Sequence, residues 1–266
     1  MKYVLISGVS GGMGFATAKK FIENGYFVFG LDIRDLPETT DNLMFIKTDL
    51  REQEQIKKAY ELISKETQEI DLIINMAGTY DINSLIEMSE EDFINIFNVN
   101  VFAVYRLNRT FEPLLKQKGK IIITSSELAP LDPLPFTGLY GITKETIEKY
   151  AFSLRMELQL LNKQVVVIRP GAVKTSFLDL SNERIEKFTD GTKLYKYNAE
   201  RFYKIIHSVE SRNIPPEKIA NLAFKISKKK KPKYVYKINR NPLLLIMHIL
   251  PKKLQNYIIK KILANK

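Results

Sequence analysis

In the stretch LYGITKETIEKY, Tyr140 precedes Lys144 by four residues, a spacing that puts a phenol and an ammonium one turn apart on a helix face. A phenol with its ordinary pKa of about 10 is a poor base at neutral pH. A cation within reach stabilises the phenolate and lowers that value by about 1 to 3 units. Such a pair could move a proton to or from an alcohol or carbonyl oxygen while hydride moves at the adjoining carbon. Tyr257 and Lys261 repeat the spacing in NYIIKK, so spacing alone selects nothing. The surroundings select: Tyr140 follows an apolar run ending in Ser125 and Ser126, whereas Tyr257 stands among solvated lysines with no strand-end Ser before it.

Hydride chemistry needs a carrier, and the chain opens with a place to hold one. The loop ISGVSGGMG lies between the apolar run YVLI and the helix-period segment FATAKKFIENG. Gly8, Gly12 and Gly14 allow a tight turn and let a pyrophosphate approach backbone amides at the positive end of the helix. Asp32 ends the next apolar run 18 residues after Gly14, close to the offset at which a carboxylate bonds both ribose hydroxyls. A carboxylate there repels a 2′-phosphate, and Gly11 gives the loop no cation for one, so NAD is expected over NADP. Arg34 is the dissenting residue, unless it is only a solvated loop charge.

Further elements must bring these groups together. Apolar runs bounded by turn residues alternate with helix-period segments: YVLISG, FVFGLDI, LMFIKTDL, IDLIINMAG, GKIIITSS and QVVVIRPG, with long helical stretches over 90–115 and 138–161. Continuously apolar strands are strands covered on both faces, so the fold class is α/β, a doubly wound parallel sheet of Rossmann type with helices on both sides.

With those motifs in that order, the chain resembles the short-chain dehydrogenase/reductase family, in the single-domain branch whose glycine loop reads TGxxxGxG. The likeness covers roughly residues 1 to 225 and rests on SGVSGGMG, Asp49 in TDL, NMAG at 75–78, Asn100 in NVNVF, TSS at 124–126, YGITK and RPGAVKT. It implies a cofactor loop of Ser7 (in place of Thr), Gly8, Ser10, Gly12, Met13 and Gly14. It also implies an adenine contact at Asp49 and Leu50, and a ribose contact at Asn75, Ala77 and Gly78, with Met76 standing where Asn is usual. Pro170, Gly171, Val173 and Thr175 would close over the nicotinamide. Tyr140 would be the acid/base and Lys144 its modulator, which also holds the nicotinamide ribose. Ser126 would orient substrate as an oxyanion-hole donor does, although its spacing to Tyr140 is one longer than usual and keeps Ser125 as the alternative. Asn100 would kink its helix and hold a water that relays protons. A homodimer or homotetramer is implied as well. The resemblance to retinol and hydroxysteroid dehydrogenase-like members implies a bulky, apolar secondary alcohol or its ketone as substrate. The rivals are an NADPH-linked ketoacyl-type reductase and a non-catalytic, membrane-associated nucleotide-binding protein, and intact Tyr140, Lys144, Ser126 and Asn100 speak against the latter.

Composition narrows the rest. The 266 residues include no Cys and only two His, His207 and His248, so thiolate chemistry is excluded, no metal site is expected, and nothing requires an oxidising compartment. A cytoplasmic protein is expected, with MKYVLISG read as a first strand and not a leader. The net charge of +11 is local: fourteen of the 41 Lys and Arg follow Glu217, after which there is no acid, while residues 1–217 carry 27 bases against 30 acids. That distribution argues against a nucleic-acid partner. The expected organisation is a catalytic domain over 1–225, with a substrate lid at about 174–213, and a basic tail over 226–266. Phe177, Leu178, Phe188, Phe202, Tyr203 and Ile206 could line an apolar pocket for a lipophilic alcohol or ketone, or merely pack the lid. In the tail, Leu254, Tyr257, Ile258 and Ile262 at helical spacing beside lysines read as an anionic membrane-surface contact. A tail folded over the pocket or a subunit contact are the alternatives.

Overall fold

The computed structural model describes residues 1–210 and 212–264; the side chains of 176–182, and with them Phe177 and Leu178, and of 207–210, including His207, lie outside that description. Seven parallel strands form one sheet in the order β3-β2-β1-β4-β5-β6-β7. They are β1 Lys2–Ser7, β2 Tyr26–Asp32, β3 Leu43–Lys47, β4 Ile70–Asn75, β5 Leu115–Thr124, β6 Gln164–Pro170 and β7 Val235–Ile238. The order reverses between β1 and β4, and a doubly wound sheet opens its binding crevice at such a point.

Pleating sends alternate residues to two cores. Leu5, Phe29, Ile73, Ile121 and Val165 face one side. There they meet α2 (Gln53–Glu66), α4 (Ala103–Phe111) and α5 (Gly138–Leu158). Val4, Ile6, Val28, Ile74 and Val166 face the other, against α1 (Gly12–Ile22) and α8 (Glu217–Ser227). Between α3 (Glu90–Phe97) and α4 the helix widens to a π turn over Asn98–Phe102, which is the kink expected at Asn100.

A third apolar cluster lies beyond the strand ends. Phe188 of α6 (Ser176–Gly191) and Phe202 and Ile206 of α7 (Lys196–Glu210) pack there with Tyr80 and Tyr140. The chain then returns through α8 and β7 and ends in α9 (Pro242–Ile249) and α10 (Lys252–Leu263).

Two expectations about the end of the chain change. β7 pairs with β6 from Val167↔Val235 to Pro170↔Ile238, so the sheet runs past the boundary drawn at residue 225. Its short VYKI run, with Lys237 inside it and Lys233 just before it, hides a strand that needs only one paired edge. The tail helices also fold back over the body. On α10 the buried residues are Gln255 and Leu263, with Ile259 packed beside them, while Leu254, Tyr257 and Ile262 are exposed. Of the stripe picked out by spacing, Leu254 and Tyr257 therefore face outward, Ile258 is half-buried and Ile262 also borders an internal cavity. Asp132, in the loop before α5, pins this hairpin: its carboxylate accepts from Gln255 Nε2 at 3.0 Å, meets His248 Nδ1 at 3.1 Å and pairs with Lys252. Among the described residues no helix is long and apolar enough to cross a membrane.

Candidate active site

The glycine loop joins β1 to α1 through a left-handed turn at Gly8, φ +73°, where an added Cβ would lie 2.5 Å from the Ala77 nitrogen. At Gly12 a Cβ would lie 2.6 Å from Thr175 Cγ2, so a side chain there would seal the crevice. The first turn of α1 has no capping side chain and no acidic residue. Its orphan amides and the helix dipole are left to an anion. They open into a cavity of about 400 Å³ walled by Gly8, Gly12, Gly14, Asp32, Asp49, Leu50, Ala77 and Gly78. A dinucleotide fits this donor set, with amides for pyrophosphate at one end and Asp32 for ribose at the other.

Not every expected contact lies in that cavity. The Ser7 hydroxyl accepts from Met76 and Ala77 amides at 3.3 and 3.4 Å and so ties β1 to the end of β4. Asn75 turns inward and donates to Asn108 Oδ1 at 2.9 Å. Both are buried braces of the crevice and not part of its wall. Ser10 sends its amide to Asp32 Oδ2 at 3.0 Å and its hydroxyl to the Arg34 carbonyl at 2.8 Å. Asp32 Oδ1 accepts from the Arg34 amide at 3.0 Å, and the Arg34 guanidinium stands 3.8 Å away. Arg51, which the motif reading passed over although it directly follows TDL, clamps Asp49 at 2.7 Å and holds its carboxyl below the usual range. Arg34 and Arg51 both wall the cavity.

Tyr140 and Lys144, buried on the first turns of α5, lie where this cavity opens into a second one of about 460 Å³. Met13, Met76, Gly78 and Thr175 are walls common to both. Ser126 is the hydroxyl that bonds the Tyr140 phenol, whereas Ser125 bonds the main-chain oxygen of Lys144 at 3.4 Å. The longer loop after β5 therefore leaves the geometry with Ser126. Lys144 Nζ lies 5.5 Å from the Tyr140 ring centre and donates to the Thr124 carbonyl at 3.5 Å.

Asn100 reaches the same place from the π turn. Its Oδ1 accepts from the Thr79 amide at 2.8 Å, and its Nδ2 donates to the Thr79 carbonyl at 2.9 Å and to Thr143 Oγ1 at 3.1 Å. Both amide hydrogens are thus engaged within the fold.

The acid/base balance differs from the expectation that Lys144 pulls the phenol down. Burial dominates and pushes Tyr140 up to about 12; the Ser126 bond opposes it and the charge of Glu127 adds to it. Lys144 is itself lowered to about 8 by loss of solvent. In the protein alone the phenol is a held acid. Pro170, Gly171, Val173 and Thr175 wall the second cavity. Its far side comes from α7, α9 and α10 through Phe202, Ile206, Leu243, Met247, Ile259 and Leu263. Phe188 packs behind it, and Tyr203 is only part-buried at its edge. The second pair at this spacing falls outside: Tyr257 is 61 % exposed and Lys261 is exposed on the outer side of α10.

The family model described as short chain dehydrogenase matches residues 2–186. A 3-ketodihydrosphingosine reductase of Bacteroides thetaiotaomicron is 28% identical, over 97% of this chain and 96% of its own. An NADPH-dependent 3-dehydrocapnine reductase of Ornithobacterium rhinotracheale is 27% identical, over 98% and 97%. Among solved structures, a short chain dehydrogenase family protein from Francisella tularensis shares the fold with a TM-score of 0.74 at 24% identity, covering 90% of this chain and 97% of that one. A 3-ketoacyl-(acyl-carrier-protein) reductase from Brucella melitensis, complexed with NADH, does so at 0.73 and 21%, covering 89% and 96%. Since the family match takes in more than half of the chain, this protein belongs to the short chain dehydrogenases, NAD(P)-dependent oxidoreductases that interconvert alcohols and carbonyl compounds.

Proposed function

We propose that the protein reduces a ketone on a long apolar chain to the corresponding alcohol. The observation that carries this reading is the second cavity, which runs from the Tyr140–Ser126 bond into a space walled almost wholly by apolar side chains under α9 and α10. Two full-length relatives named as reductases of keto compounds support the direction. A phenol held up at about 12 also supports it, because such a group arrives protonated and gives its proton to the carbonyl oxygen.

The residues divide the work as follows. Ser126 donates to the substrate oxygen and steadies the charge that grows there, as Tyr140 delivers the proton. Lys144 adds a cation beside the phenol and is positioned to bond a ribose. A nicotinamide bound over Gly12 and Thr175 would supply the hydride. Because the Asn100 amide hydrogens are engaged by Thr79 and Thr143, a relay water would be held by its main-chain carbonyl in the π turn. Replacing Tyr140 with Phe should abolish ketone-dependent oxidation of the reduced cofactor without weakening cofactor binding, and retained turnover would refute the assignment.

On cofactor choice Asp32 supports NAD. A second reading, NADPH, is favoured by Arg34 and Arg51, two guanidiniums that wall the adenosine end, and by Asp32 having both oxygens bonded to main-chain amides. Fluorescence titration separates them. Arg34→Ala should leave NADH binding intact if NAD is the partner and should weaken NADPH selectively if a 2′-phosphate is read.

A peripheral membrane contact is supported by the outer side of the α9–α10 roof. Ile249, Leu254 and Tyr257 are exposed there beside Lys252, Lys253, Lys260 and Lys261. Each such cation near an anionic surface contributes about 1 kcal/mol. Full-length protein should sediment with anionic but not neutral vesicles, and the double change Ile249→Asp with Leu254→Asp should release it. Truncation is a poor test, since it also removes β7. A homodimer or homotetramer is supported by Phe102, Tyr105, Phe152 and Met156, which stay exposed around α4 and α5; light scattering measures it directly.

A further inference from the structure

Tyr80 follows the NMAG turn by two residues and belongs to none of the motifs that select Tyr140 and Lys144. It is buried in the apolar cluster beyond the strand ends and walls the second cavity. Its ring centre lies 4.6 Å from that of Tyr140 with the two planes at 66°, an edge contact at the close end of the range for aromatic pairs. Ser126 bonds the Tyr140 phenol at its oxygen, and a bond to the oxygen alone leaves the ring free to tilt. A second ring packed on edge removes that freedom.

The segment that carries Tyr80 is held by three different elements. Asn100 of the π turn bonds both the amide and the carbonyl of Thr79, at 2.8 and 2.9 Å. The Asn83 amide donates to the Phe136 carbonyl at 2.8 Å, in the loop before α5. Between them, the buried Asp81 carboxylate meets the part-exposed Arg184 guanidinium of α6 at 3.5 Å. Burial pushes the Asp81 carboxyl up, Arg184 opposes this and Asp92 adds to it. A buried carboxylate is costly to a fold; this one ties the Tyr80 segment to α6. We propose that Tyr80, tied to α6 through Asp81 and Arg184, is a positioning residue for proton transfer that sets the tilt of the Tyr140 phenol and keeps water from it. The proposal rests on the reading of Tyr140 as the proton donor in ketone reduction. The other charged groups acting around Tyr140 are Lys144 on its own helix and Glu127 after β5, on which Arg240 acts in turn. α6, α7 and α10 bring the apolar Phe188, Phe202 and Leu263 to the cluster, with Tyr195 and Tyr203 at its edge. All of these remain when Tyr80 is changed.

The test uses the full chain. Tyr80→Leu keeps an apolar side chain but removes the ring, whereas Tyr80→Phe keeps the ring. The ultraviolet difference between each protein and the same protein carrying Tyr140→Phe follows ionisation of that one phenol without turnover. Burial is the largest cause of the raised Tyr140 pKa, so water admitted by Tyr80→Leu should let the phenol ionise about one pH unit lower or more. In reduction of a long-chain ketone the alkaline fall in kcat should move down with it. Near neutral pH kcat should drop about tenfold or more, the scale of a misplaced reacting group, with KM for the reduced cofactor unmoved. Tyr80→Phe should recover the wild-type ionisation and rate. An unmoved ionisation in Tyr80→Leu would overturn the proposal even if the melting temperature falls, since a mere filler of the core changes stability alone. Failure of Tyr80→Phe to recover the ionisation would overturn it too. Should Tyr80→Leu not fold, Arg184→Ala at the exposed end of the tether carries the test: its phenol should also ionise lower, and an unmoved titration would refute the proposal. If the wild type reduces no ketone while the ionisation shift persists, the reductase reading fails and the role of Tyr80 stands.

Discussion

At the residue scale, the active pair is a set of opposed burial costs. A lysine lowered from 10.5 to about 8 holds its proton less tightly folded than unfolded, so its contribution makes stability rise with pH between about 8 and 10.5. Below that window its buried charge costs the cofactor-free fold about 3 kcal/mol. Lys144→Met should therefore raise the melting temperature near neutral pH while removing turnover, and a lower melting temperature would show the ammonium to be better paired than its neighbours suggest. The same ionisation predicts that dinucleotide affinity falls as pH rises through about 8, since the cation beside the ribose is then lost. The meeting of Tyr140, Lys144 and the glycine loop at adjoining cavities was legible in sequence, because the proposed chemistry requires one residue type at one spacing in each. The height of the Tyr140 pKa was not legible, because it depends on how completely helices far along the chain exclude water from the phenol. Nor was the inward turn of Asn75, whose side chain follows Asn108 and not the cofactor crevice.

At the element scale, the roof decides what reaches the site. α9 and α10 are held by Asp132 through Lys252, Gln255 and His248, and by the Asn198 side chain donating to the Leu263 carbonyl at 2.7 Å. Lys252 above all, then Gln255, hold the Asp132 carboxyl below its usual range. A lowered carboxyl stabilises the folded state above the unfolded carboxylate pKa and loses that contribution as pH falls through the folded one. The roof should accordingly loosen in acid, with faster proteolysis after Lys252 and Lys253 as the readout. Asp132→Asn should raise KM for long-chain substrates several-fold at neutral pH and leave short ketones nearly unaffected, the modest size reflecting a solvent-screened contact. An equal effect on short ketones would mean that the latch shapes the reacting centre itself. Helical spacing revealed that a tail helix exists, but not which side it buries, because Gln255 and Ile259 are chosen by the body beneath them.

At the scale of the whole molecule, the doubly wound sheet was readable from continuously apolar strands and their alternation with helices, since parallel strands covered on both faces leave that pattern. β7 escaped because a four-residue edge strand interrupted by Lys237 carries little of it. The basic charge that looks like a separate tail is partly sheet edge and partly cavity roof. The central claim is that Tyr140, set by the glycine loop and Ser126, and not the matched Tyr257, performs proton transfer in carbonyl reduction. The most direct test follows oxidation of NADH or NADPH with a long-chain ketone in the wild type, Tyr140→Phe and Tyr257→Phe. Tyr140→Phe should lose about 100-fold or more in kcat, the scale of general acid catalysis, with Tyr257→Phe at the wild-type rate. Turnover that survives Tyr140→Phe, or that vanishes with Tyr257→Phe, would contradict it.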